Sequence, residues 1–363
     1  MKTLLVNRYK ISIIICVCLI LLLASECLGK TYAYLIGSDG TVVKLDIDTD
    51  TIASTKNLGI YDIQSLAQSV TVDDTKKLLY IAYGRLTPTV SVFNLKTLQL
   101  KKNLMITSGY GDARIIAPPL SNKFFVDCWD TERNGRFFTS FDATTFTKIT
   151  DLSPFPVISF NIRYSTDKTK LYSVSLVKVD VYNADNLTLI KSIPLKGIFT
   201  PGIFGYGIDD CENEKILIVE NIQKTKDEPG QYNLYTYSIE NGTKTNKIIT
   251  GMQGVSSLSP DATKIFFSEE QEVLAADSSI EYVKSLGRLH VYDVATGQEK
   301  GAVNFTVDQG SGIAGVHPSG NKVYMSGKVA GISSLLVIDV VNFKVAKTIK
   351  IPDTIQSMEF WTE

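Results

Sequence analysis

The chain of 363 residues contains only two histidines, His290 and His317. Histidine provides most general bases and most zinc or copper ligands near neutral pH, so its scarcity limits the chemistry at once. A Ser-His-Asp triad and a histidine-rich metal site are both excluded. No Cys-x-x-Cys-His occurs, which excludes covalently attached haem. Of five cysteines, Cys16, Cys18 and Cys27 belong to an atypical N-terminal stretch. Cys128 and Cys211 remain, too few for a disulfide framework, and both are expected to be buried thiols. Excess positive charge is also missing, at a formal net charge of −1. Nucleic acid needs a clustered basic surface, so it is excluded as a partner. No linker rich in Pro, Gly or Ser and no block of like charge divides the chain.

Long apolar runs are absent with one exception. Residues 11–24 (ISIIICVCLILLLA) follow Lys2, Arg8 and Lys10 and precede small residues up to Gly29. This is the layout of a secretory signal, and the run is shorter than the roughly 20 residues that cross a bilayer. The expectation is a signal peptide over 1–29 and one domain over 30–363. Its loss removes three positive charges and one negative, leaving a mildly acidic protein. That protein is expected to be secreted, periplasmic or displayed at the cell surface, with no integral membrane segment after cleavage.

What fills the remainder is repetition. Seven period-2 stretches end in Asp, Asn or Ser, with Thr or Asn three residues later: VVKLDIDT (42–49), VSVFNLKT (90–97), FTSFDATT (138–145), VDVYNADN (179–186), LYTYSIEN (234–241), LHVYDVAT (289–296) and LLVIDVVN (335–342). The alternating run predicts a strand. The polar residue at its end (Asp46, Asn94, Asp142, Asn183, Ser238, Asp293 or Asp339) predicts a capped tight turn. A second mark, a polar turn feeding an apolar strand, precedes six of the seven, as in SPDATKIFFS (259–268) and HPSGNKVYMS (317–326). The first repeat lacks it and opens directly on TYAYLIG (31–37). The C-terminal IQSMEFW (355–361), alike to IQSLAQS (63–69), has the look of the missing first strand. The expected fold is all-β: a seven-bladed β-propeller whose first blade is closed by the C-terminal strand. Residues 269–286 (EEQEVLAADSSIEYVKSL) are an insertion inside the sixth unit, with room for a short helix.

Turns such as SPDATKIFF followed by LHVYDVATGQ resemble the YVTN-type propeller repeat over essentially all of 31–361. That family is similar in fold to methylamine-dehydrogenase heavy chains and lactonase propellers. The resemblance implies architecture, while the functions of its members range from enzymes to surface and adhesion proteins. A WD-type repeat is a poorer match: only Trp129-Asp130 gives the dipeptide, expected between strands. A lactonase-like role would imply His or Arg at the channel mouth, where Arg85, Arg114, Arg133, Arg136 and Arg163 would have to stand in.

Both repeat marks fall on one face, so function is expected on the opposite one, in the connections between second and third strands and between blades. These include 83–89, 129–136, 220–232, 269–286 and 326–332. Tyr61, Tyr110, Phe155 and Phe199 recur between blades and could stack a ligand or wedge the blades. Asp112, Asp130 and Asp308 are among the carboxylates of that face, with Trp129 beside them. The ligand-binding candidates are therefore Tyr61, Tyr110, Asp112, Trp129, Asp130, Phe199 and Asp308. No catalytic residue and no metal ligand is assigned, and no cofactor is called for. Calcium is the open alternative, since converging carboxylates from several blades would suit it. Two functions fit: a secreted or cell-surface binding protein for a protein or glycan partner, or a secreted enzyme or enzyme subunit (a calcium-assisted hydrolase or lactonase, or an amine-dehydrogenase-like heavy chain).

Overall fold

The structure, a computed structural model, describes residues 30–37, 40–58, 65–85, 88–106, 113–116, 122–130, 135–152, 161–165, 169–174, 178–194, 205–212, 214–222, 231–240, 243–244, 248–250, 254–274, 280–353 and 355–362. Every regular element among them is a strand. In chain order these are β1 (Thr31–Gly37), β2 (Thr41–Asp46), β3 (Thr51–Asn57), β4 (Ser65–Asp73), β5 (Leu78–Arg85), β6 (Thr89–Asn94), β7 (Leu100–Met105), β8 (Ala113–Ile116), β9 (Lys123–Asp130), β10 (Gly135–Asp142), β11 (Lys148–Leu152), β12 (Asn161–Tyr164), β13 (Lys170–Val174) and β14 (Lys178–Asn183). They continue with β15 (Leu189–Pro194), β16 (Gly205–Glu212), β17 (Lys215–Ile222), β18 (Gln231–Ser238), β19 (Ile248–Thr250), β20 (Gly254–Leu258), β21 (Lys264–Leu274), β22 (Ile280–Asp293), β23 (Glu299–Asn304), β24 (Gln309–Val316), β25 (Lys322–Val329), β26 (Ile332–Asp339), β27 (Lys344–Lys350) and β28 (Ile355–Thr362). Among the described residues no helix is long and apolar enough to cross a membrane.

The strands form seven four-stranded antiparallel sheets. Sheet 1 has the order β28-β1-β2-β3, and sheets 2 to 7 each take the next four strands in turn, from β4–β7 to β24–β27. The C-terminal segment thus supplies the strand that the first repeat lacks, with Met358 opposite Leu35 and Phe360 opposite Ala33. Its counterpart in β4 lies a few residues later than the sequence likeness suggests. The Ser357 hydroxyl accepts the Val70 amide at 3.4 Å, and the Ser69 hydroxyl accepts the Ile115 amide at 3.0 Å. Gln68-Ser69, and not the Gln64-Ser65 of IQSLAQS, is therefore the structural equivalent of Gln356-Ser357.

Six third strands end in the capped turn that their sequences predict. Asp46, Asn94, Asp142, Asn183 and Asp339 each accept two backbone amides two and three residues on, at 2.7–3.1 Å. Asp293 accepts the Thr296 amide at 2.8 Å and its hydroxyl at 2.9 Å. The residue four positions on then turns left-handed: Asp50, Leu98, Phe146, Leu187, Gly297 and Phe343 have φ between 50° and 69°. In a second strand, the position two residues beyond the partner of this polar residue is buried in every sheet. It holds Tyr34, Tyr80, Phe125, Tyr172, Leu217, Phe266 or Tyr324, each 0% exposed.

Burial explains why second and third strands read as near-continuous apolar runs while fourth strands do not. The inner strands are covered on both faces, whereas β3 and β15 are exposed almost throughout. Among the described residues seven apolar clusters make up the core, and each lies between two sheets. Tyr34, Val42 and Trp361 of sheet 1 meet Leu79 and Phe93 of sheet 2. Further clusters join sheets 2 and 3, 3 and 4, 4 and 5, 5 and 6, and 6 and 7. The last joins Tyr324, Leu335 and Val337 of sheet 7 to Leu35, Val43 and Met358 of sheet 1.

Polar contacts repeat the pattern. A lysine at the start of a second strand reaches into the next sheet's turn: Lys170 to Glu214 at 2.7 Å, Lys215 to the Ala262 carbonyl at 3.1 Å, and Lys264 to the Gly320 carbonyl at 3.2 Å. Lys322 does the same toward sheet 1, bonding Asp50 at 2.7 Å, and the Tyr324 hydroxyl joins it there at 3.0 Å. The Lys170 ammonium also holds the Glu214 carboxyl below its usual range.

Candidate binding face

The tight turns between first and second and between third and fourth strands lie on one face. The connections between second and third strands leave from the other, and here the repeat loses its uniformity. Several stretches expected as loops are hairpin ends. Trp129 and Asp130 lie at the end of β9, not between strands, and pair with Arg136 and Gly135. Likewise 326–332 is strand on both sides of a two-residue turn at Ala330 and Gly331, whose φ values of 51° and 75° suit a tight hairpin. The alternation of the flanking strands runs on into these segments, so the ladder continues to the last pair that the turn permits.

The insertion at 269–286 departs furthest: its described residues, 269–274 and 280–286, are strand where the sequence left room for a short helix. β21 and β22 continue past the body of sheet 6 as a ribbon, pairing Glu270 with Ser285, Glu272 with Val283 and Leu274 with Ile280. The ribbon leaves the sheet at a bulge between Ser268 and Glu270, opposite Gly287. Gly287 has φ of 76°, and a Cβ there would lie 2.3 Å from the Phe305 carbonyl oxygen. Only glycine fits this bend.

A charged cluster at the ribbon's base was missed by reading the sequence. His290 is buried in β22, and its Nε2 faces Glu269 at 3.0 Å while its Nδ1 faces Glu299 at 3.1 Å. Arg288 approaches Glu299 at 3.9 Å. Burial, reinforced by Glu299 and Glu269, pushes the neighbouring Tyr292 hydroxyl up to about 12. The two carboxylates lie at opposite ends of the ring, so the cluster ties three strands together and presents no convergent pocket. The signal was present as Glu269 and Glu299 flanking a lone strand histidine, but their meeting depends on cross-strand register.

Of the seven ligand-binding candidates, Asp308 is the one whose side chain is described. Its carboxylate accepts the Gly331 amide at 2.8 Å while its own amide donates to the Lys328 carbonyl at 2.8 Å. It ties the start of sheet 7 to the β25–β26 turn and leaves one exposed carboxylate oxygen. Tyr61, Tyr110, Asp112 and Phe199 lie outside the described residues, as do the side chains of Trp129 and Asp130 and all of residues 1–29. Cys128 is a buried thiol in the core between sheets 2 and 3.

The fold is that of a β-propeller. A solved structure of the dihydro-heme d1 dehydrogenase NirN in complex with DHE, a β-propeller, superposes with a TM-score of 0.57 over 90% of this chain and 74% of that one, at 12% identity. KlHsv2 with loop 6CD replaced by a Gly-Ser linker aligns with a TM-score of 0.45 over 79% of this chain and 82% of that chain, at 13% identity. No family model and no curated protein sequence matches the chain.

Proposed function

We propose that this protein is a closed seven-bladed propeller of YVTN-type repeats, exported behind the signal at 1–29, that binds a protein or glycan partner through its loop face. One observation carries this reading. The turn face repeats the same capped turn and lysine contact from sheet to sheet, whereas variation gathers in the second-to-third-strand hairpins opposite. A rigid scaffold with one variable face is how repeat folds present a binding surface. The cluster between sheets 7 and 1 supports closure, because it continues the series of inter-sheet cores back to its start. Secretion rests on the composition of the first 29 residues, and the reading requires no catalytic step.

The test compares the intact protein with two variants, one with residues 271–284 and one with 223–230 shortened to tight turns. Binding is read on a glycan array and by capture from the extracellular fraction. Melting temperatures should be nearly unchanged, while capture of the partner taken by the intact protein weakens in at least one variant. Full capture by both variants overturns the loop-face assignment.

A further inference from the structure

The β21–β22 ribbon outruns both of its neighbours. β20 reaches only as far as Gly254 opposite Glu269, and β23 only as far as Asn304 opposite Arg288. The Phe305 amide then bonds the Gly287 carbonyl at 2.8 Å. Past that point, among the described residues, no strand pairs with the outer edge of β22 over residues 280–286. An edge of this kind leaves alternate amides and carbonyls pointing outward.

Among the described residues, the fourth strands of the sheets carry features that blunt an outer edge. Six of the fourth strands carry at least one lysine (Lys56, Lys102, Lys148, Lys191, Lys300 and Lys347 among them), and the remaining one, β19, is only three residues long. Lysine on an edge and short edge strands both discourage pairing with another chain. The ribbon edge reads IEYVKSL (280–286), rich in β-branched and aromatic residues that favour strand pairing. Its charge has a sign: residues 269–288 contain Glu269, Glu270, Glu272, Asp277 and Glu281 against Lys284 and Arg288.

We propose that an extended segment of a partner protein, bearing Lys or Arg at alternate positions, adds as a third strand along the β22 edge of this ribbon. The inference rests on the loop-face reading above and names its partner class. Main-chain hydrogen bonds would supply affinity, and the acidic ribbon would select the sign of the incoming side chains. A second copy of this chain fits less well, since it would bring a second ribbon with the same acidic excess and no complementary charge.

The test pans a displayed library of random dodecapeptides on the intact protein, and on a variant in which an Asn-Gly turn replaces 271–284. Selected peptides should alternate apolar with basic residues and bind the intact protein alone. They should slow amide exchange over 280–286, and Glu281→Lys should weaken them by about tenfold, or about 1.4 kcal/mol. Should the shortened protein fail to fold, Glu281→Lys and the exchange map carry the test alone. Peptides that are acidic, that bind independently of the ribbon, or that protect other amides overturn the proposal, and so does a selection that yields none. Concentration-dependent protection of 280–286 without peptide assigns the edge to a second copy and equally overturns it. Partner capture that still falls on shortening, after a failed peptide test, leaves the loop-face reading standing.

Discussion

At the scale of single residues, the turn carboxylates are the most constrained groups. The Thr296 amide and hydroxyl, helped by Lys300, hold the Asp293 carboxyl down to about 2. Asp142 is lowered by the Thr145 and Thr144 amides, and Asp339 by the Asn342 side chain and amide. A carboxyl depressed in the folded state stabilises it fully above the unfolded value of about 3.9, and that contribution is lost as pH falls through the folded value. Stability should therefore hold above pH ~5 and decline toward pH ~2. Carbon NMR of Asp293 should show a midpoint near 2, and an ordinary midpoint would refute the capped geometry. Leu98 poses the opposite problem, a branched side chain at φ of 53°. The conformation costs about 1–2 kcal/mol, but the side chain is 6% exposed in the core between sheets 1 and 2, worth about 1.5–3 kcal/mol. Packing should win narrowly. Leu98→Gly is expected to destabilise by about 1 kcal/mol in urea unfolding, and a more stable variant would show that strain dominates.

Among elements, contacts between neighbouring sheets join the repeats to one another. Asp50 shows this most clearly, since it receives both Lys322 and the buried Tyr324 hydroxyl from sheet 7. Asp50→Ala leaves a mostly buried ammonium and a buried hydroxyl short of partners, which should cost about 3 kcal/mol. Asp50→Asn keeps an acceptor and tolerates the left-handed φ, so about half of that loss should return. Denaturant melts of the two variants measure it, and an Ala variant within 0.5 kcal/mol of the parent would remove the contact from the account. The ribbon teaches a related lesson about legibility. Residues 269–286 contain good helix formers, which is why the sequence suggests a helix. In the fold, both ends are already fixed as paired strands in sheet 6, so each added pair extends an existing ladder at no nucleation cost.

For the whole molecule, the consequential feature is that β28 and β1 lie side by side although they stand at opposite ends of the chain. A chain ending at Asp353 would expose the edge of β1 and remove Ile355, Met358 and Trp361, each at most 8% exposed, from cores on both sides of sheet 1. It should aggregate or melt far below the parent, and an unchanged thermal midpoint would contradict the closed ring proposed above. The strands and capped turns were legible in the sequence because they depend on residues within about five positions of one another. The expectation of seven repeats rests on recurrence of that same local signal. What only the tertiary structure decided is which groups meet across sheets: Lys322 with Asp50, His290 with Glu269 and Glu299, and Ser357 with Val70. Those pairings rest on register and on the order of sheets around the fold, and a local pattern carries neither.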